Sequence, residues 1–221
     1  MTPQKSRFAA VCFDFDSTLT RLEGIDELAA RKGVEKDIAP LTVAAMEGTI
    51  PLESVYARRL DLIRPAQADV VWLAERYIDA MVPGVEETFA ALRRAGTEIF
   101  IVSGGIRAAI LPFVARLELP PVNVFAVNIA FDAAGAYRDF DRTSPLTKAD
   151  GKAEVCGVLL ERHAPLAMVG DGITDMAARH AGAFAIGFGG VTARAAVRSK
   201  ADVFIEEPSL TATLDCLLAC K

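Results

Sequence analysis

Short apolar runs alternate with helical stretches along this chain, and that alternation leaves few folds open. Phe8–Phe13, Glu98–Val102, Asn123–Val127, Leu166–Val169, Ala183–Phe188 and Asp202–Ile205 read as strands. Val85–Arg94, Ile106–Leu117, Lys152–Arg162, Thr174–His180 and Val191–Arg198 read as helices. Strands this short and apolar, separated by helices, belong to a parallel sheet covered on both faces. The expected class is therefore α/β with a Rossmann-like parallel sheet. Asn128–Phe140 breaks the rhythm, and its alternation around Asp132–Gly135 predicts a small β-hairpin.

Residues 21–81 contain no convincing strand. They read as helices over Ile25–Lys32, stopped at Gly33, Glu35–Glu47, stopped at Gly48, Leu52–Ile63 before Pro65, and Ala66–Asp79 before Pro83-Gly84. About sixty residues is too long for a simple crossover. The expectation is a helical insert after the first strand, with residues 1–20 and 82–221 forming a discontinuous core domain. The insert must leave and re-enter at the carboxyl end of that strand, the edge where open α/β sheets bind ligands.

Composition narrows the function. The 221 residues carry 24 basic and 29 acidic side chains, a formal charge of −5, and are 52% hydrophobic. That excludes a disordered chain and argues against a duplex nucleic-acid partner. The apolar run Phe8–Phe13 is too short for a signal core or a membrane span. Cys12, Cys156, Cys216 and Cys220 form no C-x-x-C pair and read as reduced thiols, with the cytoplasm as the expected compartment.

Three strands end in polar clusters. The first runs into Asp14-Phe-Asp16-Ser-Thr18, where two acids one residue apart repel unless a cation lies between them. At a sheet edge such a pair suits a Mg²⁺ site with a nucleophile. The second ends at Ser103-Gly104-Gly105, whose hydroxyl and close-approaching amides, before a helix start, suit an anion. The fourth ends at Gly170-Asp171-Gly172-Ile173-Thr174-Asp175, where Asp171 can complete the cation site and Thr174 or Asp175 can cap a helix. Lys152 opens a helix leading to that strand, with Lys148 as its competitor. Parallel strands bring all of these to one edge.

The order D-x-D-x-T, S-G-G, Lys, G-D-G-x-x-D resembles the haloacid dehalogenase (HAD) superfamily of aspartate-based phosphotransferases. More narrowly, the chain is similar from end to end to its phosphoserine phosphatase family. Glu23-Gly-Ile-Asp-Glu-Leu28, Ala45-Met46-x-Gly48, Arg59, Pro83-Gly84, Gly151-Lys152, Gly187-Phe-Gly-Gly190 and Arg194 extend the match. The resemblance implies a HAD core with a helical cap and Mg²⁺-dependent hydrolysis of O-phosphoserine, the last step of serine biosynthesis. It implies Asp14 as nucleophile and Asp16 as acid and base. Asp14, the Asp16 carbonyl and Asp171 would hold Mg²⁺. Asp175 would support the metal's water or Lys152. Ser103, Gly104, Gly105 and Lys152 would bind phosphate. Glu23 and Arg59 would take the substrate ammonium and carboxylate, with Met46 and Gly48 shaping the lid and Thr174 and Arg194 nearby. The partner implied is a small phosphomonoester, and members of the family are often homodimers. Leu52 and Ile106 depart from the family's usual phenylalanines, which keeps open a different phosphomonoester, such as phosphothreonine, or phosphoryl transfer to homoserine.

Overall fold

A computed structural model of the chain describes residues 5–47 and 49–218, apart from the Met46 side chain. The expected lid residues Met46 and Gly48, and also Cys220, therefore lie outside what is described. Strand β1 (Ala10–Phe13) leads into helices α1 (Gly24–Lys32), α2 (Glu35–Met46), α3 (Leu52–Ile63) and α4 (Gln67–Asp79). Next come α5 (Val85–Arg94), β2 (Glu98–Ile106), α6 (Arg107–Arg116), β3 (Val124–Val127) and a hairpin of β4 (Ile129–Phe131) and β5 (Tyr137–Phe140). Helix α7 (Gly151–His163), β6 (Leu166–Gly170), α8 (Ile173–Met176), β7 (Phe184–Phe188), α9 (Ala195–Arg198) and β8 (Val203–Ile205) complete the alternation.

The main sheet has the order β3-β2-β1-β6-β7-β8, and every pairing in it is parallel. Its strands alternate between two apolar layers, as a period of two requires. Val11, Phe13, Ile99, Ile101, Ala167 and Val169 pack into one layer with Phe89 of α5 and Phe113 of α6. Ala10, Cys12, Phe100, Val102, Leu166 and Met168 pack into the other with Val155 and Leu159 of α7. Burial on both faces explains why these strands read as unbroken apolar runs.

Helices α1–α4 enter and leave side by side. Thr20 and Met81 form an antiparallel bridge, and the Val82 amide donates to the Leu19 carbonyl at 2.9 Å. The inserted helices have no separate core. Leu28, Leu73 and Tyr77 belong to the first layer, and Tyr56 and Leu60 belong to the second. Phe15 joins the two parts, edge-on to Tyr77 at 4.7 Å and to Phe113 at 4.9 Å. The hairpin also holds the insert, because the Gln67 amide donates to the Gly135 carbonyl at 2.8 Å.

Three expectations need correction. Strand β2 does not stop at Val102 but continues through Ser103-Gly104-Gly105 to Ile106. The glycines therefore sit in extended backbone with an irregular register, directly before the Ile106 N-cap of α6. Residues 174–180 divide into α8 and a 3₁₀ turn over Ala177–Ala181. Within residues 191–198 only Ala195–Arg198 is helical.

Because one apolar layer runs through sheet and insert, Phe15→Ala should destabilise the protein by ~3–5 kcal/mol. Chemical denaturation followed by circular dichroism and tyrosine fluorescence should show both parts unfolding in one transition. Two separated transitions would contradict the shared core.

Candidate active site

The sheet changes direction between β1 and β6, with β2 and β3 on one side and β7 and β8 on the other. Such a switch point leaves a crevice at the carboxyl ends of the two central strands. Asp14 is the first residue beyond β1, and its amide donates to the Val169 carbonyl at 2.9 Å. Asp171 is the first residue beyond β6. Carboxylate oxygens of Asp14, Asp171 and Asp175 lie within 4.8 Å of one another, and all three residues are buried.

Two cations face these three acids. Lys152 Nζ lies 2.7 Å from Asp14 Oδ1 and 2.5 Å from Asp175 Oδ1. Arg194 pairs with the Asp171 carboxylate and donates to its carbonyl at 3.2 Å. Thr18 Oγ1 donates to Asp171 at 3.2 Å, and the Gly172 amide donates to Asp175 at 2.8 Å. Burial pulls the Lys152 ammonium down, but Asp14 and Asp175 outweigh it and hold the group above its ordinary value. Burial and the neighbouring Asp14 push Asp175 up to about 7, against the opposing pull of Lys152. A carboxylate-only donor set with surplus negative charge fits a hard divalent cation better than a soft one.

Asp16 plays a different part. Its carboxylate accepts the Gly24 amide at 3.1 Å. Burial, then the charges of Glu23 and Asp14, push it well above the usual carboxylate range, and bonds from Tyr77 and Gly24 offset this only in part. Its surroundings thus favour the protonated form, while Asp14 beside it is ion-paired with Lys152, an arrangement suited to an acid next to a nucleophile. Glu23 is raised to about 7 by burial, opposed by Ser17 and Arg194. Ser17 Oγ donates to Glu23 at 2.7 Å.

A cavity of about 70 Å³ lies between these groups and the inserted helices. Its walls include Asp14, Asp16, Glu23, Arg59, Ser103, Gly104, Gly105, Lys152 and Thr174, all singled out from the sequence. Arg59 is buried on α3, and its Nε has no hydrogen-bond partner among the described residues. Leu52 and Ile106 are also on the wall. Asp171 and Arg194 do not line the cavity: they are paired with each other. Arg194 comes within 3.8 Å of Glu23, so it meets the substrate side only through that acid.

The model of the haloacid dehalogenase-like hydrolases matches residues 8–182. The chain belongs to that family. Within it, the chain is 38% identical over 200 residues to the phosphoserine phosphatases of Rattus norvegicus and Homo sapiens, covering 90% of this chain and 89% of each relative. The phosphoserine phosphatase of Methanocaldococcus jannaschii is 31% identical, covering 90% and 93%. A solved structure of a phospho-aspartyl intermediate analogue of phosphoserine phosphatase aligns with a TM-score of 0.83 at 28% identity, over 97% of this chain and 99% of that one. A substrate-bound phosphoserine phosphatase aligns with a TM-score of 0.81 at 28% identity, over 97% and 99%.

This haloacid dehalogenase-like hydrolase also uses residues that pattern reading passed over. Tyr56 and Tyr77 both line the cavity. A Cβ at position 24 would fall 1.8 Å from the Tyr77 hydroxyl, so Gly24 is what lets Tyr77 reach the site. A glycine at a helix start was the available signal, but it names no partner. Tyr56 lies one turn from Leu52 and Arg59 on α3, but nothing in its own position marked it out.

Glu23 and Asp175 bind protons more tightly in the fold than in the unfolded chain. Their stabilising share is complete below their ordinary pKa and is lost as pH rises through about 7. In chelator, this share of the Tm should therefore fall from pH ~4.5 to ~7 and level off above that. The slope should be shallower in Glu23→Gln, where one of the raised carboxyls no longer titrates. Equal slopes in scanning calorimetry would contradict the assignment.

Proposed function

We infer that this protein is a Mg²⁺-dependent phosphoserine phosphatase that works through an aspartyl-phosphate. One observation carries the mechanism: an ion-paired Asp14 and a buried Asp16, whose surroundings favour its protonated form, face the same small cavity. An Asp14 oxygen attacks phosphorus, and the bond from phosphorus to the serine oxygen breaks. Asp16 gives its proton to the departing alkoxide, so serine leaves neutral at that oxygen. Asp16, now a carboxylate, takes a proton from water as the water oxygen attacks phosphorus. The bond to Asp14 then breaks, which releases phosphate and restores both acids.

Asp14 and Asp171, with the Asp16 carbonyl, would hold Mg²⁺, and Asp175 would act through Lys152. When bound, the ion supplies charge neutralisation for the phosphoryl oxygens and the facing carboxylates. Ser103, the Gly104 and Gly105 amides and Lys152 bind the remaining phosphoryl oxygens. Glu23 faces the substrate ammonium and Arg59 its carboxylate, a use that fits the unpartnered Arg59 Nε. Residues 21–81 act as the cap on a core of residues 1–20 and 82–221. Such an enzyme delivers serine as the last step of its biosynthesis.

Asp14→Asn should lower turnover by at least ~10³-fold in a phosphate-release assay, because the amide cannot form the acyl phosphate. Arg59→Ala should raise the KM for phosphoserine by ~10–100-fold while leaving phosphoethanolamine, which lacks the carboxylate, within about twofold. If the unaltered enzyme prefers phosphoethanolamine or phosphothreonine, the substrate assigned here is wrong. With chelator, binding of inorganic phosphate should be lost while the fold persists, because the acids then repel the dianion.

A further inference from the structure

We propose that Tyr56 is a positioning residue for the phosphate-binding glycines, fixing the Gly104–Gly105 peptide when the inserted helices lie over the sheet. The proposal rests on the reading of Ser103–Gly105 given above. Tyr56 Oη donates to the Gly104 carbonyl at 2.8 Å. The carbonyl and the next amide belong to one planar trans peptide, so anchoring the carbonyl fixes the direction of the Gly105 N–H on its other side. That N–H is turned to the Ser103 hydroxyl at 3.0 Å, inside the cavity. Position 105 also faces the catalytic acid, since a Cβ there would lie 3.2 Å from Asp16 Oδ2.

This peptide needs an outside anchor. Strand β2 pairs with β1 only as far as Ile101, and with β3 at Ile101 and Val102 and then, after a register shift, at Ile106. Residues 103–105 thus have no register partner among the described strands. Two adjacent glycines allow such a peptide to rotate at little steric cost. The Tyr56 phenol is itself well placed. It is buried, its ring lies 5.2 Å from that of Phe140, and the Arg59 guanidinium lies 5.8 Å from its centroid. The donor stands on α3 and the acceptor on β2, so the bond exists only when the insert is seated. Closure and assembly of the phosphate cradle are thereby one event.

The test is Tyr56→Phe, which removes the hydroxyl and keeps the ring. Inorganic phosphate and L-serine are titrated separately by calorimetry with Mg²⁺ present. The phosphate Kd should rise about five- to tenfold, the size of one net hydrogen bond, and the serine Kd should stay within about twofold. Tyr56→Leu, which also removes the ring beside Arg59, should weaken both ligands. Unchanged phosphate affinity in Tyr56→Phe overturns the proposal. So does an equal loss for both ligands, which would make the bond a latch and nothing more. An unaltered protein that binds phosphate but neither binds serine nor hydrolyses phosphoserine overturns the substrate assignment, and the phosphate titration alone then judges Tyr56.

Discussion

The buried ammonium of Lys152 holds Asp14 and Asp175 in a dry site that two carboxylates could not otherwise share. Removing one partner from such a cluster leaves uncompensated charge and typically costs ~3–5 kcal/mol. The cluster therefore demands that α7 and α8 be set accurately against the sheet. Close backbone approach does this. A Cβ at position 151 would fall 1.9 Å from the Pro145 carbonyl oxygen, and one at position 170 would fall 2.2 Å from Asp175 Cγ. Only hydrogen fits at either place, so the helix start that carries Lys152 and the strand end beneath Asp175 are fixed by steric contact.

The same cluster resolves a conflict between composition and ligand. A chain with 29 acids against 24 bases is a poor match for an anion. At the sheet edge the conflict is sharper, because three carboxylates face Lys152 and Arg194 while Asp16 and Glu23 stand close by. A divalent cation held by these acids would reverse the local sign without changing the sequence. Charge is used economically: Asp14 is ion-paired, whereas Asp16, two residues on, is driven toward its protonated form by burial and by its acidic neighbours.

The cavity wall combines aliphatic and aromatic side chains. Leu52 and Ile106 stand on it beside Tyr56 and Tyr77, which face the same space from α3 and α4. Each tyrosine brings a hydroxyl that a phenylalanine lacks. One reaches Gly104 and the other lies against Asp16. The pocket is thus aromatic and carries polar ties from the inserted helices to the sheet and to the acid beyond β1.

Much of this was legible in the chain itself. Strand–helix alternation, the four inserted helices and the clusters at strand ends depend on local pattern, and local pattern survives folding when one face or both faces must be buried. Helix α3 runs over Leu52–Ile63, as its apolar spacing and Pro65 predict. The continuation of β2 through two glycines was not legible, because glycine at a strand end reads equally as a turn. Nor was the pairing of Arg194 with Asp171, a contact between side chains 23 residues apart whose geometry depends on how the loop after β7 returns. By itself the sequence determined which chemical groups stand at the ends of which strands. Only the tertiary structure decided which acid is ion-paired, which is pushed toward its protonated form and which tyrosines line the cavity, because burial and distances across the fold set those properties and neither is encoded in spacing along the chain.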